Sequence, residues 1–309
     1  MDYSNYLFRC HMVGKIIDVP KPLTPNQKEL FEAYLKRKSG IGKPLTPNQE
    51  IDLTSLQFKY NESKVYSLSD STKTTLSELV YAETYGRKID INSPKISKGL
   101  EVEKEGRDIL TRVSGLFLTA NKERKKNDWV TGIIDIEPQG VIIDIKSSWS
   151  WSSFAKILQD KTNEIYLRQG DSYMDLWKCN DFLLCHILTD TPFKLIDGEL
   201  RSLDYKNNTQ DIEGNIREDS IDEVKRLITN HIFSRKALEE YCQQSPVVMI
   251  EWFNDFVEIP EHKRVHMIPH TFDKVRIEQR NECIKLAREY MKTCEPINNF
   301  NKNLLLGSN

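Results

Sequence analysis

The stretch Val141-Ile142-Ile143-Asp144-Ile145-Lys146-Ser147-Ser148 reads as a strand with two charges set into it. Side chains alternate along a strand, so Asp144 and Lys146 share one face with Ile142, while Ile143 and Ile145 take the other. Upstream, Trp129-Val130-Thr131-Gly132-Ile133-Ile134-Asp135-Ile136 reads as a second strand, and Glu137-Pro138-Gln139-Gly140 as the turn between the two. In such a hairpin Asp135 stands across from Ile142, and cross-strand partners share a face. Asp135, Asp144 and Lys146 are then expected to converge near one end of the hairpin. Two carboxylates and an amine on apolar strands need compensation when buried, and a divalent metal supplies it.

The flanking segments carry polar residues inside apolar stripes. Ser97 is expected to cap a helix that runs to about Val113 and ends at Gly115. At helical spacing Ile96, Gly99, Gly106, Leu110 and Val113 fall on one side, and Glu103 falls within that stripe. Glu101 and Glu105 fall on the opposite, solvated side. LFLTA at 116–120 reads as a strand, SWSWSSF as a loop, 161–178 as a helix and DFLLCHILTD as a buried strand. The helix has an apolar stripe of Ile165, Tyr166, Tyr173, Leu176 and Trp177 with Gln169 at its centre. Gln169 is a neighbour of Tyr173 on that helix and needs hydrogen-bond partners. The order helix, three strands, helix, strand is an α/β core rather than a bundle or a sandwich.

In order along the chain, Gly99-x-x-x-Glu103, Gly132-Ile133-Ile134-Asp135, Asp144-Ile145-Lys146 and Gln169-x-x-x-Tyr173 resemble the PD-(D/E)XK nucleases. The likeness is to the RecB-type and lambda-exonuclease-type branch, which includes phage-encoded recombination nucleases, and it covers roughly residues 96–190. It implies a restriction-endonuclease-like αβββαβ core, a central mixed sheet flanked by helices, with helical N- and C-terminal extensions. Two positions depart from the pattern. Ile134 precedes Asp135 where the superfamily name has proline, and Glu103 stands where many RecB-type members carry histidine. Glutamate there fits the lambda-exonuclease pattern.

The resemblance implies a Mg²⁺- or Mn²⁺-dependent deoxyribonuclease, and an all-oxygen ligand set favours those ions over zinc. Asp135 and Asp144 would bind metal, with the Ile145 carbonyl, and Glu103 directly or through water. Lys146 would orient the attacking water, and Gln169 and Tyr173 would position the DNA end or its backbone. Cleavage would leave 5′-phosphate and 3′-hydroxyl. The implied substrate is double-stranded DNA ends in phage-type recombination, repair or genome processing, with a single-strand annealing or recombination protein as candidate partner. Some relatives hold an iron–sulfur cluster, but Cys283 and Cys294 are too far apart for its spacing, so none is expected. Three alternatives stay open: a site- or structure-specific endonuclease on the same core, an RNA-directed nuclease, and a non-catalytic DNA-binding or virion-associated protein with a vestigial core. Oligomeric state is open too; a toroidal trimer is suggested only by analogy.

Further residues have two readings each. Lys122, Arg124, Lys125 and Lys126 enter just before the catalytic strands and could grip phosphates, or form an ordinary solvated loop. Trp149 and Trp151 could stack on unpaired bases, or pack against the helix at 161–178. His262, His266 and His270 are four apart, but Pro269 and the alternating RVHMI argue for a strand or loop, where such histidines stand about 13 Å apart. No zinc site is expected there. His186 reads as a core histidine.

The rest of the chain sets bounds. It has 309 residues, 39% hydrophobic and 29% charged, with a net charge of -2, so any nucleic-acid contact must be a local patch. No apolar run is long enough to span a membrane. No secretion signal is read at the start, and the six scattered cysteines read as free thiols, so a cytoplasmic location is expected. Residues 1–95 read as a mainly helical accessory region, 96–192 as the nuclease core and 193–309 as a mainly helical extension packing on it. Lys21-Pro22-Leu23-Thr24-Pro25-Asn26-Gln27 recurs at Lys43 to Gln49, and each Thr-Pro is expected to open a helix. Further helices are expected over LSELVYAETYG, IDEVKRLITNHIFSRKALEEYC and FDKVRIEQRNECIKLAREYMK, and Asn298 to Asn309 as a loose tail.

Overall fold

Each Thr-Pro pair opens a helix as its chemistry dictates. The Thr24 and Thr46 hydroxyls accept from the backbones of Gln27 and Gln49, whose side chains return the bond to the cap backbone. The computed structural model describes residues 2–87, 93–136, 140–159 and 163–294. In chain order its first elements are β1 (Phe8–Arg9), α1 (Cys10–Ile16), α2 (Pro25–Lys38), α3 (Pro47–Glu62) and α4 (Asp70–Thr84). The core region supplies α5 (Pro94–Glu101), α6 (Glu103–Ser114), β2 (Lys125–Lys126), β3 (Val130–Gly132), β4 (Val141–Ser147), α7 (Trp151–Ile157), α8 (Glu164–Trp177) and β5 (Asp181–Ile187). Then come α9 (Phe193–Asn207), α10 (Ile221–Thr229), α11 (Arg235–Gln244), β6 (Val265–Thr271) and α12 (Lys274–Thr293). Among the described residues no helix is long and apolar enough to cross a membrane.

Contacts group the chain into two units that do not follow chain order. One comprises residues 1–89, 127–130 and 274–309, the other 90–126 and 131–273. In the first, α12 packs on α4 and α1, while α2 and α3 form a hairpin around Phe31, Tyr34, Leu53 and Leu56. The Arg288 guanidinium on α12 ties this unit internally by donating to the carbonyls of Tyr6 and Asp128.

The second unit is built on a mixed sheet of order β4-β5-β6, with β4 parallel and β6 antiparallel to β5. A parallel neighbour needs a crossover, and α7 and α8 provide it. Ile109 and Leu110 of α6 share a core with Ile143, Ile145, Cys185 and Ile187, so α6 covers the odd-numbered face. Opposite it, α8 lies on the face of Asp144, Lys146 and Phe182. Gly170 makes that approach possible: a Cβ there would stand 2.6 Å from the Phe182 ring. Beyond the sheet, α9, α10 and α11 enclose a separate core around Leu200, Val224, Ile228 and Tyr241.

Several expectations need correction. The helix before the sheet is two helices broken at Val102, and its cap is Ser93, ahead of Pro94, rather than Ser97. Gly115 does end it, in the left-handed conformation with φ 70°. LFLTA is not a strand: Leu116 and Phe117 are exposed, and only Ala120 makes a bridge, to Ile136. The expected 129–136/141–148 hairpin does not pair either. Instead β3 is short and pairs with β2 inside the basic segment read as loop, and residues 133–135 leave the ladder. The turn expected at 137–140 has residues 137–139 outside the described set. SWSWSSF is the start of α7, because Ser150 and Ser153 form a capping box. The helix expected from 221 to 242 is α10 and α11, separated by a turn at 230–234. The strand at DFLLCHI, the strand around RVHMIPH and the C-terminal helix form as expected. The tail at 298–309 lies outside the described residues.

Candidate active site

Alternation along β4 sends Asp144 and Lys146 to the α8 face, as the sequence predicts. Asp144 is only 1% exposed, and the Lys146 ammonium lies 2.6 Å from its Oδ2. From α8, Gln169 Nε2 donates to Asp144 Oδ1 at 3.3 Å and to the Tyr173 hydroxyl at 2.9 Å. The polar residue in the apolar stripe thus finds the partners its burial requires. Tyr173 is buried beside it, edge to face with Trp177.

Asp135 reaches the site by a route the hairpin reading did not foresee. Its Oδ2 accepts the backbone N–H of Ile145 at 2.8 Å, so a side chain rather than a strand satisfies that amide. Burial and the neighbouring Asp144 carboxylate push Asp135 up to about 7, while Lys146 and the Ile145 amide pull it down. Burial alone would lower Lys146, but Asp144 and Asp135 outweigh it and hold its ammonium above the ordinary value. Two carboxylates compete here for one cation.

Glu103 is exposed, contrary to its expected place in the apolar stripe. Lys98, Val102, Gly106, Ile109 and Leu110 form the buried stripe, which continues across the turn at Val102, and Glu103, the first residue of α6, lies off it. It is still close enough to add to the charge that raises Asp135. The glutamate that turns inward is Glu105, expected on the solvated side; burial and Asp190 push it up to about 7.

Two residues at the site were not singled out from the sequence for a role. Tyr166 lies under Lys146, with the ammonium 5.4 Å from its ring centre, and meets His186 edge-on. It sits three residues before Gln169, a spacing that could have flagged it. Lys98 is 1% exposed, and its Nζ donates to the carbonyls of Ser148, Trp149 and Thr189 at 2.7, 3.0 and 2.9 Å. It ties α5 to the chain just past β4 and β5. Burial pushes it down to about 7, against the pull of Asp190 and Glu105. A lysine in an ordinary helix gives no sequence signal of such a role.

The remaining candidates disperse. Lys122, Arg124 and Lys126 are exposed, while Lys125 is half-buried with its Nζ 5.3 Å from the Trp177 ring centre. Trp149 packs edge-on against His231, with ring centres 5.1 Å apart, and Trp151 is 41% exposed. His186 is buried, and its pKa is pushed down to about 4 by burial, His266 and Lys146. His266 and His270 lie on β6, and His270 Nε2 is 2.7 Å from Asp171 Oδ1.

Among the described residues no three His, Cys, Asp or Glu side chains form a ready-made metal cluster. The donor chemistry nonetheless fits a hard divalent ion: Asp135 and Asp144 bring two carboxylates together, and their mutual repulsion is what a cation would relieve. Among the described residues Glu103 does not complete a cluster with them.

No protein-family model matches the sequence, and no curated protein matches it. Among solved structures the chain resembles a phage-related exonuclease from Haemophilus somnus 129PT, with a TM-score of 0.56 and 20% identity over 94% of this chain and 95% of that one. An alkaline exonuclease from Laribacter hongkongensis, LHK-Exo, matches with a TM-score of 0.43 and 11% identity over 86% of this chain and 93% of that one. The structure of LHK-Exo in complex with dAMP gives a TM-score of 0.43 and 10% identity, over 73% and 82% respectively. The last two likenesses are too slight to add to the first. The chain thus shares the fold of that phage-related exonuclease, in line with the α/β core expected from the sequence.

Proposed function

We propose that this chain is a metal-dependent deoxyribonuclease that removes nucleotides from DNA ends, leaving 5′-phosphate and 3′-hydroxyl. One observation carries the reading: Asp135, Asp144, Lys146 and Gln169, from three separate segments, meet around a single buried carboxylate. Perturbed ionisable groups that converge in this way mark functional sites. The likeness in fold to a phage-related exonuclease supports exonuclease over endonuclease.

Asp135, Asp144 and the Ile145 carbonyl would hold Mg²⁺ or Mn²⁺, with Glu103 through water. When bound, such an ion polarises the scissile phosphate and lowers the pKa of an attacking water. With Asp144 neutralised, the Lys146 ammonium can orient that water and offset charge on the phosphorane-like transition state. The water oxygen bonds to phosphorus and releases a proton to solvent, the P–O3′ bond breaks, and the departing oxygen takes up a proton from solvent as the 3′-hydroxyl. Gln169 and Tyr173 present an amide and a hydroxyl beside Asp144, suited to fixing a phosphate oxygen. Recombination, repair or genome processing, with a single-strand annealing partner, is the setting that the resemblance suggests.

The test is digestion of end-labelled linear DNA with Mg²⁺, using 5′-phosphorylated and unphosphorylated ends, beside closed circular DNA and RNA. Shortening of linear DNA from its ends with circles intact supports the reading. Nicked circles would replace it by an endonuclease, and inactivity on all substrates by a non-catalytic DNA-binding protein.

A further inference from the structure

Three consecutive residues of α8 meet three different strands. Gln169 reaches Asp144 on β4, Gly170 lies against the Phe182 ring on β5, and Asp171 pairs with His270 on β6. Residues of a helix step about 100° around its axis. With Gly170 facing the middle strand, its neighbours splay to either side, one toward each outer strand. Phe182 and His270 are register partners, and their rings meet edge to face at 6.4 Å. The Asp171 side chain is 2% exposed and that of His270 15%. The catalytic reading uses Gln169 and Tyr173 and gives this pair no part.

We propose that Asp171 and His270 are positioning residues: their bond locks the rotation of α8 about its axis and so holds the Gln169 amide on Asp144. The kinetic part of this inference rests on the nuclease reading of the Asp144 site. Hydrophobic contact is non-directional and sets the angle of a helix less sharply than a hydrogen bond does. A short bond to a carboxylate is directional. Gly170 permits the close approach but has no side chain to hold the angle. The tolerance is small, since a rotation of about 10° moves a side-chain tip at the helix surface by about 1 Å. Gln169 Nε2 is already 3.3 Å from Asp144, so a displacement of that size would break the contact.

The test reads Gln169 directly. In ¹⁵N-labelled protein its side-chain amide signal is identified by its loss in Gln169→Ala. Asp171→Asn and His270→Gln are expected to move that signal while circular dichroism stays native. In end-labelled DNA digestion each should lower kcat about tenfold or more and change KM little, as a small misplacement near the chemistry does. In a Gln169→Ala background neither should lower kcat further, because the latch acts through Gln169. Exchanging the pair, Asp171→His with His270→Asp, should return the amide signal and most of the kcat. An unmoved amide signal in either folded single variant overturns the proposal, as does an equal kcat loss with and without Gln169. If neither single variant folds, the exchanged pair decides, and a folded exchanged pair with a displaced amide signal overturns it. Should the wild-type protein cleave no DNA, the nuclease reading fails, and the amide signal alone still judges the latch.

Discussion

The Lys146 ammonium lies 2.6 Å from the carboxylate of Asp144, two residues away on the same face of β4. An ion pair this buried is sustained only where each charge has another partner. Asp144 has Gln169, and the charge of Lys146 is also felt by Asp135. Removing one member leaves the others uncompensated, which makes the cluster testable.

Lys146→Ala and Asp144→Ala should each cut Mg²⁺-dependent cleavage by about a thousandfold, the scale expected when a group that stabilises developing charge is lost. End-labelled DNA digestion reads the rate, and circular dichroism checks the fold. Full activity in either folded variant would sink the catalytic assignment.

Divalent metal should stabilise the protein. At a concentration about a hundred times its Kd, Mg²⁺ adds about 2.7 kcal/mol to the folded state. Calorimetry should therefore show a rise in Tm from chelator to Mg²⁺ in the wild type and a smaller rise in Asp135→Asn. Equal rises in both would remove Asp135 from the metal site.

Glu105 makes stability depend on pH in a window the structure sets. Its folded pKa, raised to about 7 by burial and Asp190, lies above the ordinary carboxylate value. The folded state therefore binds a proton that the unfolded state has released, and this contribution to stability falls as pH rises from about 4.5 to about 7. Glu105→Gln should match the wild type near pH 4.5 and exceed it at pH 8 by about 1–2 kcal/mol, allowing for partial exposure. Urea midpoints at the two pH values measure the difference. A gain that is the same at both would assign it to something other than ionisation.

Lys98→Met keeps the stem of the side chain and removes the ammonium. Three carbonyls, those of Ser148, Trp149 and Thr189, lose a donor. The expected cost is about 2–4 kcal/mol, since each buried group left unpaired is expensive. Urea unfolding reads it, and a loss below about 0.5 kcal/mol would mean that those carbonyls find other partners.

Local chemistry was legible in several elements, though the Ser150–Ser153 capping box of α7 and the Ser93 cap of α5 were missed. Alternation put Asp144 and Lys146 on one face of β4, helical periodicity singled out Gln169, and the Thr-Pro pairs announced the caps of α2 and α3. The DFLLCHI strand was readable as buried because it is apolar along its length. These are properties of nearest neighbours along the chain, and the backbone period converts them into direction.

Only the tertiary structure decided which segments meet. The sequence indicated that Asp135 belongs with Asp144, but long-range packing replaced the expected hairpin by a bond from the Asp135 carboxylate to the Ile145 amide. It buried the helix face of Lys98, Val102, Gly106 and Leu110 in place of the expected one through Ile96, which turned Glu105 inward and left Glu103 exposed. It also buried Lys98 under three carbonyls and joined Asp171 on α8 to His270 on β6, 99 residues apart in sequence. Such contacts depend on how the layers stack, and no local pattern encodes that. By itself the sequence determined the directions of Asp144, Lys146 and Gln169 within their own elements; the fold decided which other charges are buried and how all of them compensate one another.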